Sequence, residues 1–118
     1  MKIAELRTSE GRVVCERCLI ADGPFARMRG LLGRKELPSG EGILLKPSGS
    51  VHTFFMRFPI DVVFLDRELR VVVIAPDVPP WRMRGARGAK AVLELTAGEA
   101  SRRALTEGQA LVFPEHPK

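Results

Sequence analysis

Apolar residues in this chain fall in short blocks, and the spacing inside each block sets an expected element. Residues 3–6 and 12–20 are rich in β-forming apolar residues and flank Ser9-Glu10-Gly11, the pattern of two strands joined by a turn. The period then changes. Phe25, Met28, Leu31 and Leu32 recur at helical spacing, Asp22 can serve as an N-cap and Gly33 stands near a stop, which predicts a short helix over residues 24–32. Residues 42–46 (GILLK) and 50–57 read as further strands. Residues 60–65 and 69–75 flank the turn Asp66-Arg67-Glu68 and predict a hairpin with almost wholly apolar arms. Such arms need cover on both faces, so the fold expected is mainly β: a packed sandwich or a barrel-like sheet, with one or two short helices. Between residues 76 and 88 the segments PDVPP and WRMRGARG show no regular period, and a loop of that length in a small domain is more often functional than incidental. Residues 89–95 return to strand, Ala97-Gly98 turns, residues 99–105 suit one or two helical turns, and residues 109–113 close the sheet.

Composition narrows this picture. At 118 residues, 45% hydrophobic and 28% charged, the chain has the length and balance of one folded domain over residues 1–118, with residues 114–118 expected as a loose tail. The net charge of +5 rests on fourteen arginines against five lysines, and guanidinium groups make two-pronged contacts with carboxylates and phosphates. An anionic partner fits that bias. Fourteen acidic residues are interspersed with the basic ones, however, and the chain has no tyrosine and no RNP-like or helix-turn-helix pattern, so nucleic acid is a disfavoured partner. No segment approaches the ~20 apolar residues of a membrane span, and the start lacks a stretch of signal-peptide length. The expected location is the cytoplasm for the chain as given, or outside it if a leader has been removed.

Three places carry candidate chemistry. Cys15-Glu16-Arg17-Cys18 has the spacing of a zinc knuckle or redox pair, but a zinc site needs a second pair of ligands, and His52 and His116 are far apart. In a regular strand, residues i and i+3 point to opposite faces, and no helix start follows to activate a thiol. The cysteines therefore read as structural and reduced, with no metal and no cofactor. Asp61 lies among apolar neighbours, where an ionised carboxylate needs a partner; Arg29, Arg34, Arg57 and the N–H groups of the Phe58-Pro59 turn are candidates. A structural pair is the commoner outcome. The functional alternative makes Asp61 and His52 an acid–base pair in a pocket walled by Phe54, Met56 and Trp81. Finally Trp81, the one tryptophan, sits among Arg82, Arg84 and Arg87, where an exposed indole can stack on a ring and a folded-back one can cap the sheet. Neither G-x-S-x-G, a P-loop, a dinucleotide fingerprint nor H-E-x-x-H occurs.

Three stretches, ARMRGLLGRKEL, HTFFMRFPIDVVFLD and AVLELTAG, taken in this order and at these intervals, resemble the signature blocks of domain-of-unknown-function family 192 over roughly residues 21–113. The resemblance implies a jelly-roll-like β-sandwich with one or two short helices. It carries over Arg29, Gly30, Leu31, Gly33 and Arg34 in the first block. In the second it carries over Phe54, Met56, Pro59, Asp61 and Asp66, and in the third Glu94 and Gly98. Phe55 stands where the family usually has tryptophan, Leu32 replaces a common methionine, and the CERC motif has no counterpart. The family brings no reaction with it, and many of its members carry export signals.

The leading functional expectation is a non-enzymatic protein that binds a small anionic or aromatic ligand, or a protein partner. Its face would be built from Arg29, Arg34, His52, Phe54, Met56, Asp61 and Trp81. One alternative is a hydrolase-like enzyme with Asp61 and His52 as acid and base. The other is an arginine-driven nucleic-acid binder.

Overall fold

The computed structural model describes residues 2–21 and 36–113. The helix expected over residues 24–32, with its Asp22 cap and Gly33 stop, lies outside the described residues, as do Arg29, Arg34, His116 and the tail. Among the described residues, nine strands and one short helix follow in chain order: β1 (Lys2–Thr8), β2 (Val13–Ala21), β3 (Glu41–Leu45), β4 (Ser50–His52), β5 (Ile60–Leu65), β6 (Val71–Val78), β7 (Met83–Gly85), β8 (Ala91–Thr96), α1 (Glu99–Arg102) and β9 (Leu111–Val112).

Seven strands form one sheet in the order β6-β5-β8-β3-β2-β1-β9, and β4 pairs with β7 in a small second sheet. β2 and β3 run parallel and the other pairs antiparallel. The large sheet curls until its two edges meet at one end. There Arg70 bridges Ala110, Val71 N–H donates to Gln109 O at 2.8 Å and Leu111 N–H donates to Leu69 O at 2.9 Å. The mainly β architecture read from the sequence is the one observed, in its barrel-like form.

The central strands β5 and β8 are buried on both faces, as their unbroken apolar runs require. Alternation divides them. Val63, Leu65, Leu93 and Leu95 point into the curl with Leu6, Val14, Leu44 and Leu111. Ile60, Val62, Phe64 and Val92 point to the outer face, where Val51, Met56, Phe58, Ala86 and Ala89 from around the small sheet cover them. Helix α1 brings Ala100 to the inner cluster, which also takes Leu105 from just beyond it.

Two sequence expectations need correction. The strand expected over residues 50–57 stops at His52, because Phe55 takes the left-handed conformation (φ 68°), which breaks extended pairing. The segment 76–88, read as a loop, is partly strand: β6 continues through Pro76 and Asp77 to Val78, and Met83–Gly85 pairs with β4. All three β7 residues are exposed, so no burial period marks them in the sequence.

Candidate aromatic binding face

Asp61 is 1% exposed, and its carboxylate is engaged by three backbone amides. Oδ1 accepts Asp77 N–H at 2.8 Å, and Oδ2 accepts Gly98 N–H at 3.0 Å and Ala100 N–H at 2.9 Å. Each bond has a local cause. β5 and β6 pair as Ile60↔Val78 and Val62↔Ala75, so two residues of β6 face Asp61 alone; this bulge turns Asp77 (φ 51°) toward the carboxylate. Gly98 caps α1 without a side chain to satisfy the helix's first N–H groups, and Asp61 does so from a strand. The described partners are thus backbone amides of β6 and the α1 start, in place of the Phe58-Pro59 turn amides; Arg57 is exposed. Asp61 shares the inner face with Val63 and Leu65, whereas the segment after β4 packs on the outer face. His52 and Asp61 therefore lie on opposite sides of the sheet, and the acid–base pair raised as an alternative from sequence lacks its geometry.

His52, Phe54 and Trp81 do come together. The His52 and Phe54 rings are 4.9 Å apart between centroids, Phe54 and Trp81 stack at 5.6 Å, and Phe55 meets Trp81 edge-on at 4.7 Å. Phe55 is 68% exposed and Trp81 55%, with exposed Met83, Arg82 and Arg84 beside them in sequence. Met56, expected as part of this wall, is instead buried in the outer-face core, because the turn at residues 53–56 aims it inward.

Buried Thr53 holds the two aromatic segments in register. Its hydroxyl donates to Pro79 O at 2.7 Å and accepts Arg82 N–H at 2.9 Å, while its backbone accepts Trp81 N–H at 3.0 Å and donates to Arg82 O at 2.8 Å. Phe55 and Trp81 (φ 67°) both sit in the left-handed region, which costs a bulky residue about 1–3 kcal/mol and persists where surrounding bonds fix it. Thr53, Phe55 and Met83 are the members of this face that sequence reasoning missed. The paired left-handed aromatics left no sequence signal, since glycine is the residue that usually marks such positions.

Two further carboxylates are buried. Glu99 Oε1 accepts Ser39 Oγ at 2.8 Å, Gly40 N–H at 3.3 Å and Arg103 Nη2 at 3.2 Å, and Oε2 lies 3.1 Å from Arg102 Nη1. Burial pushes this carboxyl up, but the Ser39 bond and the Arg103 and Arg102 charges outweigh it and hold the group below the ordinary carboxylate range. Glu94 differs. It lies between Ile43 and Val62 on the outer face, its Oε1 accepts no hydrogen bond, and desolvation pushes its pKa to about 8. Among the described residues, no cluster of three or more His, Cys, Asp or Glu is placed to hold a metal ion. A cavity of about 540 Å³ bordered by Lys46, Asp66, Arg67 and Lys90 lies at the C-terminal end of β5 and includes none of the ring residues.

The model of a family described as an uncharacterized ACR, domain-of-unknown-function family 192, matches residues 5–113. The chain belongs to this family. A UPF0127 protein of Thermococcus sibiricus is 35% identical over 98 residues, covering 79% of this chain and 63% of that protein. A second UPF0127 protein, from Pyrococcus horikoshii, is 38% identical over 69 residues, covering 54% of this chain and 57% of its own length. The chain thus spans less than two thirds of either relative. A protein of unknown function from Novosphingobium aromaticivorans shares the fold with a TM-score of 0.79 at 25% identity, over 93% of this chain and 83% of that one. A putative transcription regulator from Sinorhizobium meliloti superposes with a TM-score of 0.81 at 23% identity, over 94% and 92%, a likeness of fold alone. No helix among the described residues of this family 192 member is long and apolar enough to cross a membrane.

Proposed function

We propose that this family 192 protein is a binding protein whose ligand carries a flat ring and an anionic group, held on the platform of Trp81, Phe54 and Phe55 beside Arg82 and Arg84. The observation that carries the reading is the pair Phe55 and Trp81. Trp81 donates its N–H to Thr53 O, Phe55 lies inside the turn that Met56 N–H closes on the same oxygen, both take a costly backbone conformation, and both leave most of a large apolar ring in water. Stability alone favours glycine at such positions and burial for such rings. An indole face offers stacking and dispersion to a sugar or base, and guanidinium groups beside it favour carboxylate or phosphate. The three amides on Asp61 and its separation from His52 give the hydrolase alternative no matching support.

Trp81 is the only tryptophan, so its emission reports on this face alone. Titration with adenosine monophosphate and with 2-naphthoate is expected to give saturable quenching that weakens at least tenfold in Arg82→Ala/Arg84→Ala and in Phe55→Ala. A linear, non-saturating response to both probes, unchanged in the variants, would sink the proposal.

A further inference from the structure

A regular strand sends residues three apart to opposite faces, yet Cys15 and Cys18 both enter the inner core, each 0% exposed. The cause is a register shift. β2 faces β1 with Cys15 opposite Leu6 and Cys18 opposite Ala4, so three steps along β2 answer two along β1. The extra residue resets the alternation and pushes Glu16 and Arg17 outward together. Ala4 and Leu6, two residues apart in a strand, span about 6.7 Å, and the Cα atoms opposite them are held to a similar span. That is the upper end of the ~4.4–6.8 Å a disulfide bridges.

The two thiols share one face of β2 and each turns toward a backbone carbonyl: Cys15 Sγ lies 3.4 Å from Gly40 O and Cys18 Sγ 3.9 Å from Leu19 O. Gly42, opposite Cys18 on β3, leaves their room: a Cβ there would come within 3.1 Å of Cys15 Sγ. The two thiols are electrostatically unequal. The neighbouring Cys18 thiol lowers the Cys15 pKa, burial opposes it, and the Arg17 N–H and the Arg103 charge add to the lowering; the neighbouring Cys15, with burial, pushes Cys18 up. Cys15 is the better nucleophile and Cys18 the proton holder.

We propose that Cys15 and Cys18 form a reversible disulfide within β2, closed by a hydroperoxide and reopened by a thiol reductant. The Cys15 thiolate attacks the peroxide O–O bond; with hydrogen peroxide, the departing hydroxide takes a proton and leaves as water, and Cys15 becomes a sulfenic acid. The Cys18 sulfur then attacks the Cys15 sulfur. A second water leaves with the Cys18 proton, so two thiols and one peroxide yield one disulfide and two waters. Two thiol equivalents of reductant return the dithiol and become a disulfide themselves. A bridge at the long end of the allowed span is strained, which places it among labile, regulatory disulfides rather than permanent ones.

The pair also touches the rest of the molecule. Glu16, between the cysteines, is held by Arg103 at 2.8 Å, and Arg103 holds buried Glu99 of α1. Closing the bridge tightens the bulge from which Glu16 projects.

The test is peroxide treatment of the native reduced protein, followed by intact mass, denaturing alkylation and non-reducing tryptic digestion. Cleavage after Arg17 separates the two cysteines, so a bridge appears as the peptide ending at Arg17 linked to the one beginning at Cys18. The expected result is a monomer lighter by two hydrogens, with no alkylatable thiol, that linked peptide, and recovery with dithiothreitol. In Cys18→Ser, peroxide is expected to leave a dimedone-reactive Cys15. Persistence of both free thiols in the native protein under peroxide that fully oxidises the urea-unfolded chain would overturn the proposal. Separate oxygen additions on each cysteine, or a disulfide between two chains, would overturn it equally.

Discussion

Asp61 Oδ2 accepts the backbone N–H of Ala100 at 2.9 Å, across 39 residues of sequence. One strand carboxylate therefore replaces the cap that Gly98 cannot supply, and through Oδ1 it fixes the β6 bulge as well. Hydrogen bonds to a charged acceptor contribute about 1.5–3 kcal/mol each, and a buried orphan donor costs a comparable amount. Asp61→Asn keeps one acceptor oxygen and turns an NH₂ toward an amide donor. It is expected to lose about 2–5 kcal/mol in urea unfolding. A variant within about 0.5 kcal/mol of the parent would show that these bonds hold nothing together.

Glu94 should make stability depend on pH. Its carboxyl titrates near 4.5 in an ordinary setting and near 8 in the fold. Between those values the folded chain retains a proton that the unfolded chain has released. The contribution is therefore fully present below about pH 4.5, declines as pH rises, and levels off above 8. The slope is at most about 1.4 kcal/mol per pH unit. Glu94→Gln is expected to match the parent near pH 4.5 and to exceed its stability by a few kcal/mol at pH 8. Parallel curves for the two proteins across this range would refute the assignment.

Thr53→Val preserves shape and removes the hydroxyl that joins Pro79 O to Arg82 N–H. The loss expected is about 1–3 kcal/mol, because both backbone groups lose a partner. The near-ultraviolet circular dichroism of the Trp81 cluster should weaken with it. An unchanged aromatic spectrum would mean that the rings are held by their own contacts.

Gly42→Ala tests packing at the centre of the sheet. An added Cβ would stand 2.8 Å from Glu94 O and 2.9 Å from Leu95 Cδ2, too close without backbone movement. Overpacking of this kind costs about 1–3 kcal/mol. Equal thermal midpoints for variant and parent would show that β3 and β8 separate freely.

The elements legible in the sequence were those whose burial writes a period. β1, β2, β3, β5 and β8 stood out because their apolar runs match the faces they cover. β7 was invisible because Met83, Arg84 and Gly85 are all exposed, and the strand over residues 50–57 was misread because Phe55 is apolar yet faces water. The aromatic face was half legible. Trp81 and Phe54 drew notice by type, while Thr53 acts through backbone bonds that depend on a second segment. The need of Asp61 for partners followed from its apolar neighbours, but amides of Gly98 and Ala100 have no side-chain signature. The cysteine pair was read against a regular strand, and a register shift belongs to two strands at once.

The closing bridge at Arg70 and Ala110 covers only one end of β6. Beyond Val71 the outer border of β6 has no neighbouring strand among the described residues, and Val73 on it is 37% exposed. Such a border is a template on which another chain can add a strand and begin to aggregate. Pro76 offers no N–H to an incoming strand, and the left-handed Asp77 bends the border out of line. Since Asp61 holds the Asp77 amide, weakening that one bond exposes a straighter, stickier border. Loss of solubility in Asp61 variants would then arise from self-association of nearly native molecules as well as from unfolded ones.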